Sequence, residues 1–146
     1  MAEKTLINGP LTRAMISGII ESIGSETDAG GHSVFIGQVR DDSDGTKCVK
    51  AIRYTAYDEM AEAEAEKIKN SIIREFQEVK KVVILHSTGI VKTGEISLFV
   101  LVSAKHRHQA FDACNKAVEL VKKALPIWKK EIYNDDSVLW KQNDPA

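Results

Sequence analysis

Residues 95–128 read EISLFVLVSAKHRHQAFDACNKAVELVKKALPIW, and this stretch decides the fold class. Residues 95–103 are apolar and dense in β-branched and aromatic side chains, the composition of a buried strand. From about His106 to Leu125 the chain reads as an amphipathic helix at about 100° per residue. Ala110, Phe111, Ala113, Cys114, Ala117, Val118, Leu120, Val121 and Leu125 form one broad apolar arc; Asp112, Lys116, Glu119 and Lys123 fall opposite. Pro126 stops the helix, since it has no N–H to donate and its ring clashes with the preceding turn.

Working outward, residues 81–86 predict a second apolar strand, separated from the first by turn signals at Thr88-Gly89 and Thr93-Gly94. Ahead of it, Ala61, Ala65, Ile68, Ile72, Phe76 and Val79 recur at three- and four-residue spacing, one buried stripe of an earlier helix with Asp58 as its N-cap. Residues 33–40 (SVFIGQVR) predict a strand in which Val34 and Ile36 alternate before a kink or bulge at Gly37. Residues 41–46 (DDSDGT) are a turn cluster, and residues 48–57 a further strand of a hairpin. Residues 15–22 (MISGIIES) read as a short strand, residues 24–31 as a loop, and the chain through about Leu11 as a loose or docking arm. Beyond Pro126, residues 130–133 and 137–140 are short β-like pieces around Asn134-Asp135-Asp136. The order is that of a single α+β domain over residues 1–146, mostly antiparallel strands with two main helices, rather than a doubly wound fold.

The formal charge of −1 implies no general attraction to nucleic acid or an anionic membrane, so any anion site must come from locally gathered cations. Glu21, Glu26, Asp28, Asp41, Asp42 and Asp44 make the first half acidic, which further disfavours nucleic acid. Cys48 and Cys114 match no metal-ligand spacing and make no disulfide framework, which points to a reducing compartment. The start, Met1-Ala2-Glu3-Lys4, lacks the apolar stretch of a signal peptide, and no run reaches the ~20 apolar residues of a membrane span. The expected location is cytoplasmic.

Several cations stand where local rules do not require them. Lys122 lies at the edge of the apolar arc beside Val118, where its stem would pack and its ammonium reach the surface. A snorkelling lysine satisfies that pattern; so does a positioned cation whose pKa partial burial could lower. Lys129 follows seven residues on, and Pro126 between them can turn the chain so that both face one hollow. A basic helix C-terminus is also favoured by the macrodipole alone. At the other end, Lys105-His106-Arg107-His108 puts positive charge at a helix N-terminus, which is unfavourable unless an anion is held there. A later helix start or a plain surface cluster would explain it equally. His106 and His108 lack the supporting Cys or carboxylate of a zinc site. Arg40 ends its strand, and Gly37 behind it would let the backbone bend so that Arg40 reaches an adjoining hollow. The DDSDGT turn lacks the later glutamate of a calcium loop.

These segments resemble the large subunit of molybdopterin synthase over roughly residues 16–140. The specific stretches are FIGQVR at 35–40, SAKHR at 103–107 with Ala110-Phe111, and VKKALPIWKKE at 121–131; VILHSTG at 83–89 with Gly94-Glu95 is similar to the family's paired strands. The resemblance implies an α/β-hammerhead fold. It also implies a heterotetramer, in which two large subunits form a central dimer and each binds a small ubiquitin-like sulfur carrier. The carrier's Gly-Gly tail, as a thiocarboxylate, transfers sulfur to cyclic pyranopterin monophosphate (precursor Z), a pterin phosphate, to build molybdopterin for the molybdenum cofactor. That makes the expected activity a sulfurtransferase with no cofactor or metal of its own. Position by position, Lys122 and Lys129 match the family's active-site lysines. Arg40, His106 and Arg107 match its cations around pterin and phosphate, with Phe35 shaping the pocket and Glu131 supporting the lysines. Two departures stand out: the extra Lys105, and a terminus at 142–146 lacking the basic residue that a neighbouring subunit can contribute. The rival readings are a non-catalytic binding module for a ubiquitin-like partner and an anion-binding regulator, the latter disfavoured by the absence of a Gly-rich phosphate loop.

Overall fold

A computed structural model describes residues 3–45 and 47–141. The expectation about the terminus at 142–146 lies outside the described residues, as does Thr46 of the DDSDGT turn. The strands are β1 (Leu6–Asn8), β2 (Gly31–Gln38), β3 (Ser43–Asp44), β4 (Lys47–Ala56), β5 (Val79–Lys92), β6 (Ile96–Ala104), β7 (Ile127–Tyr133) and β8 (Val138–Lys141). The helices are α1 (Arg13–Ser22), α2 (Asp58–Glu75) and α3 (Arg107–Ala124). One sheet runs β2-β6-β5-β4-β7-β8, with β3 beside β4 and β1 beside β5. Every pairing is antiparallel except β1 with β5. The fold is α+β, and its two long helices are those read from the sequence.

The apolar stripes explain the layers. Ala61, Ala65, Ile68 and Ile72 of α2 and Ala110, Ala113, Ala117 and Val121 of α3 are buried in one core with Val82, Ile84, Val100 and Val102 of the sheet. Small residues on both helices let their backbones approach the strands closely. Phe111, placed in the apolar arc by periodicity, is instead 60% exposed, at the margin of the face that meets the sheet. On β2 the predicted alternation holds with the opposite face inward: Val34 and Ile36 are 41% and 46% exposed, while Phe35 packs against the core. Asp58 is the first helical residue of α2 rather than its cap, which is Tyr57; with Glu59 it places negative charge at the positive end of the helix.

Residues 15–22, expected as a strand, belong to α1. Thr12 caps this helix, its side chain accepting from Met15 N at 3.2 Å. Ile16, Ile19 and Ile23 sit at helical spacing and pack with Leu11, Val83, Leu85, Phe99 and Leu101 on the other face of the sheet. The cluster of isoleucines mimics a strand composition, but the three- and four-residue period decides. The segment before α1 is likewise no loose arm. Thr5, Leu6 and Leu11 are buried, and β1 pairs in parallel with residues 86–88 of β5. Glu62 of α2 clamps it: Oε1 accepts from Thr5 N at 2.8 Å and Oε2 from Leu6 N at 2.9 Å. Replacing Glu62 with Ala leaves two backbone donors unmatched, and a loss of about 1–3 kcal/mol is expected, read as a lower denaturation midpoint with early loss of amide protection at Thr5 and Leu6. Unchanged protection there would refute the clamp.

Thr88-Gly89 is a bend inside β5 rather than a turn. Gly89 has φ +79°, and a Cβ there would lie 2.8 Å from Asn8 Oδ1. At this point β5 leaves β6, which it pairs through residues 79–86, and joins β4 through residues 89–92. Splitting its two halves between neighbours opens the sheet where the site lies.

Candidate functional site

Where β5 changes partners, a cavity of about 440 Å³ opens between the end of β2, the last turn of α3 and the inward face of β7. Local geometry supplies each wall. The β2–β6 register slips between Gly37 and Gln38, so Ser97 of β6 falls outside the pairing and faces the cavity. Gly37 packs so closely on β6 that a Cβ would sit 3.1 Å from Leu98 Cβ. Past the slip the chain carries Val39 into the core and Arg40 to the cavity mouth, as the sequence predicted for a glycine-bent strand end. Pro126 separates α3 from β7, with Leu125 as C-cap in extended conformation. The two-residue alternation of β7 then points Ile127, Lys129 and Glu131 into the cavity. Trp128 on the opposite face packs edge-on against Tyr57.

Lys122, Lys129, Arg40, Phe35 and Glu131 therefore line one cavity, from α3, β7, β2 and the segment just past β2. Lys122 is half-buried where its neighbour Lys123 is exposed, and its Nζ lies 6.0 Å from the centre of the Phe35 ring, the outer range of a cation–π contact. Arg40 is exposed and bonds Asp42 Oδ2 at 3.2 Å, an ion pair that an incoming anion must share or displace. Glu131 accepts from the Tyr133 hydroxyl at 2.9 Å and lies 3.7 Å from Lys141 Nζ.

The floor holds residues to which the sequence reading gave no role. Tyr54 of β4 stands across from Lys129 of β7, and its hydroxyl bonds Ser97 Oγ at 3.2 Å. Burial raises the Tyr54 pKa, and the Ser97 bond opposes that. His86 of β5 meets Tyr54 edge-on, ring centres 5.1 Å apart. Its pKa is lowered to about 4 by burial, against a bond to the Ser87 carbonyl, with the charge of Lys129 pushing it further down. The available signal was a histidine within the apolar run VVILHS, where strand patterning alone calls for none.

His106 and Arg107 are not brought to this cavity. His106 caps α3 and Arg107 begins it, fifteen residues before Lys122, which at 1.5 Å per residue is about 22 Å along the axis. His106 has a local partner: its Nδ1 lies 3.2 Å from both Glu78 carboxylate oxygens, and Glu78 N donates to Gln109 Oε1 at 2.9 Å. The acidic group that a basic helix start calls for is Glu78, from the segment joining α2 to β5. A second, smaller hollow of about 380 Å³ shares Phe35 and Lys122 with the first and adds Phe111, Val118 and Cys114. Burial pushes the Cys114 thiol pKa up, which disfavours the thiolate.

A family profile described as "MoaE protein" matches residues 11–124, a span holding β2, the whole of β5 and β6, and Lys122. The chain belongs to the MoaE protein family. It is 43% identical over 120 residues to the molybdopterin synthase catalytic subunit of Pyrococcus abyssi, covering 82% of this chain and 79% of that protein. To the protein of the same description in Drosophila melanogaster it is 37% identical over 139 residues, 94% of this chain but 36% of the longer fly protein. Molybdopterin synthase from Staphylococcus aureus superposes with a TM-score of 0.82 at 28% identity, covering 97% of this chain and 98% of that one. A chain from a complex of subunits 1 and 2 of the molybdopterin-converting factor of Helicobacter pylori shares the fold, with a TM-score of 0.78 at 20% identity over 94% of this chain and 89% of that one. As a MoaE family member, the chain is a homologue of the molybdopterin synthase catalytic subunit, an enzyme subunit of molybdenum cofactor biosynthesis. No helix among the described residues is long and apolar enough to cross a membrane.

Proposed function

We propose that this MoaE family chain is a sulfurtransferase subunit: its cavity holds cyclic pyranopterin monophosphate while a small ubiquitin-like subunit presents a C-terminal thiocarboxylate, and sulfur transfer yields molybdopterin. The carrying observation is that Lys122 of α3, Lys129 of β7 and Arg40 just past β2 line one cavity in a chain of net charge −1. Phosphate and thiocarboxylate are both anions and repel each other. Charge-assisted hydrogen bonds from ammonium and guanidinium groups offset that repulsion, and do so more strongly where water is partly excluded.

In this reading half-buried Lys122 moves a proton, or bonds transiently, at the reacting centre, and Lys129 stabilises oxyanions and orients the incoming tail. Arg40 at the mouth anchors the phosphate, giving up its exposed bond to Asp42. Phe35 walls the cavity beneath Lys122, and Glu131 keeps the lysines from repelling each other. His106 and Arg107 act on substrate from a second copy of the chain, because within one chain α3 holds them a helix length away. The small-subunit partner draws support from the family and from the H. pylori relative's occurrence in a two-subunit complex. A reducing cytoplasm suits both a thiocarboxylate and the free cysteines.

The deciding experiment mixes the purified chain with thiocarboxylated small subunit and precursor Z and assays molybdopterin. No product from folded, partner-bound protein would overturn the proposal. Replacing Arg40 with Ala is expected to raise the KM for precursor Z about tenfold or more, the scale of one lost charge-assisted bond, with a much smaller change in kcat. A fall in kcat at unchanged KM would remove Arg40 from the anchoring role.

A further inference from the structure

We propose that His86 is a substrate-positioning residue of the cavity: a neutral imidazole of fixed tautomer whose Nε2 accepts a hydrogen bond from an N–H donor on the substrate's heterocycle. This rests on the function proposed above. The tautomer follows from geometry. Nδ1 lies 2.8 Å from the Ser87 carbonyl oxygen, which can only accept, so Nδ1 carries the proton and Nε2 the lone pair. The ring is braced edge-on by Tyr54, whose own hydroxyl is tied to Ser97. With Nδ1 committed to the backbone, Nε2 is the polar atom His86 offers to the cavity that it lines.

The rest of the cavity shows what such an atom adds. Arg40, Lys122 and Lys129 are donors only. Of the two cavity carboxylates, Glu131 is engaged by Tyr133 and Lys141, while Asp42 is exposed beside Arg40 at the mouth, where the phosphate is anchored. A reduced pterin carries ring N–H and amino donors beside its anionic group; the cations satisfy the phosphate, and the donors fall to the cavity's neutral acceptors, of which the His86 Nε2 lone pair is one held in a fixed direction. An unpaired donor desolvated in the cavity costs affinity. An imidazolium could not serve, since both its nitrogens donate. Burial and Lys129 both keep this one neutral, its pKa lowered to about 4. The same low basicity separates His86 from Lys122: it holds the heterocycle and leaves proton transfer elsewhere.

The test compares His86→Asn with His86→Gln in the complete synthase. The Asn amide nitrogen mimics Nδ1 and keeps the Ser87 bond but deletes the acceptor, whereas the Gln carbonyl can reach the Nε2 position. H86N is expected to raise the KM for precursor Z about tenfold with kcat within about twofold, and H86Q to recover most of that loss. In addition, ¹⁵N spectra of the wild-type imidazole should show protonated Nδ1 and bare Nε2 from about pH 5.5 to 8, with the Nε2 resonance moving when precursor Z is added alone. An Nε2–H tautomer, or wild-type kinetics in H86N beside an active wild type, would overturn the assignment of His86 alone. A wild-type synthase that makes no product would overturn the underlying function instead. Should H86N fail to fold, H86Q and the wild-type spectra decide the matter without it.

Discussion

Replacing Lys122 with Ala is expected to slow molybdopterin formation by about 10²–10⁴-fold, or about 3–5 kcal/mol of barrier, with small-subunit binding and thermal unfolding close to wild type. The separation of the two effects follows from position. Lys122 sits in the last turn of α3, half-buried at the cavity wall, while the buried face of that helix is carried by Ala110, Ala113, Ala117 and Val121. Losing the ammonium removes a cation, and with it the proposed proton carrier, from the cavity, yet leaves the apolar contacts with the sheet in place. Lys122→Arg separates the two jobs: a guanidinium restores charge but does not release its proton near neutral pH, so the variant should remain slow if proton transfer or a covalent link is required. Turnover of K122A within about fivefold of wild type would remove Lys122 from the chemistry.

Phe99→Ala should cost about 3–5 kcal/mol, enough to lower the melting temperature by roughly 10 °C. Phe99 has no exposed surface and lies on the face of the sheet away from α2 and α3, packed with Leu11, Ile16, Ile23, Val83, Leu85 and Leu101. That small cluster is what holds α1, a helix of ten residues, too short to persist in water without tertiary contacts. Hydrogen exchange should show the α1 amides losing protection first and the α2 and α3 amides later. Uniform loss across all three helices would mean that the two cores melt as one unit.

The long elements were legible because their periods are long. Eighteen residues each of α2 and α3 give enough turns for a buried stripe to stand out, and β6 is apolar but for Ser97 and Ser103. At α1, composition outweighed period: MISGIIES is rich in isoleucine, but Thr12 and the spacing of Ile16, Ile19 and Ile23 belong to a capped helix. The arm before it was misread because nothing within residues 5–8 announces its partner; Glu62, more than fifty residues on, supplies the bonds that hold it. Gly89 carries a turn signal, and its positive φ is real, but a strand that continues past it can only be seen with both neighbours in place.

The candidate site divides the same way. The amino-acid order alone marked the cations that are candidates for an anion, the end of α3 at Pro126 shortly after Lys122, and a bend at Gly37 before Arg40, since these depend on local sterics and charge. Which cations share a cavity was decided by the sheet. The partner switch of β5 and the slip at Ser97 open the space, and the alternation of β7 fills it with Lys129 and Glu131. The same tertiary packing set His106 against Glu78 at the far end of α3, with Arg107 next to it in the chain, and placed His86 where burial lowers its pKa to about 4. Burial and cross-strand neighbours, which no local pattern encodes, control whether a polar side chain is charged and what it faces.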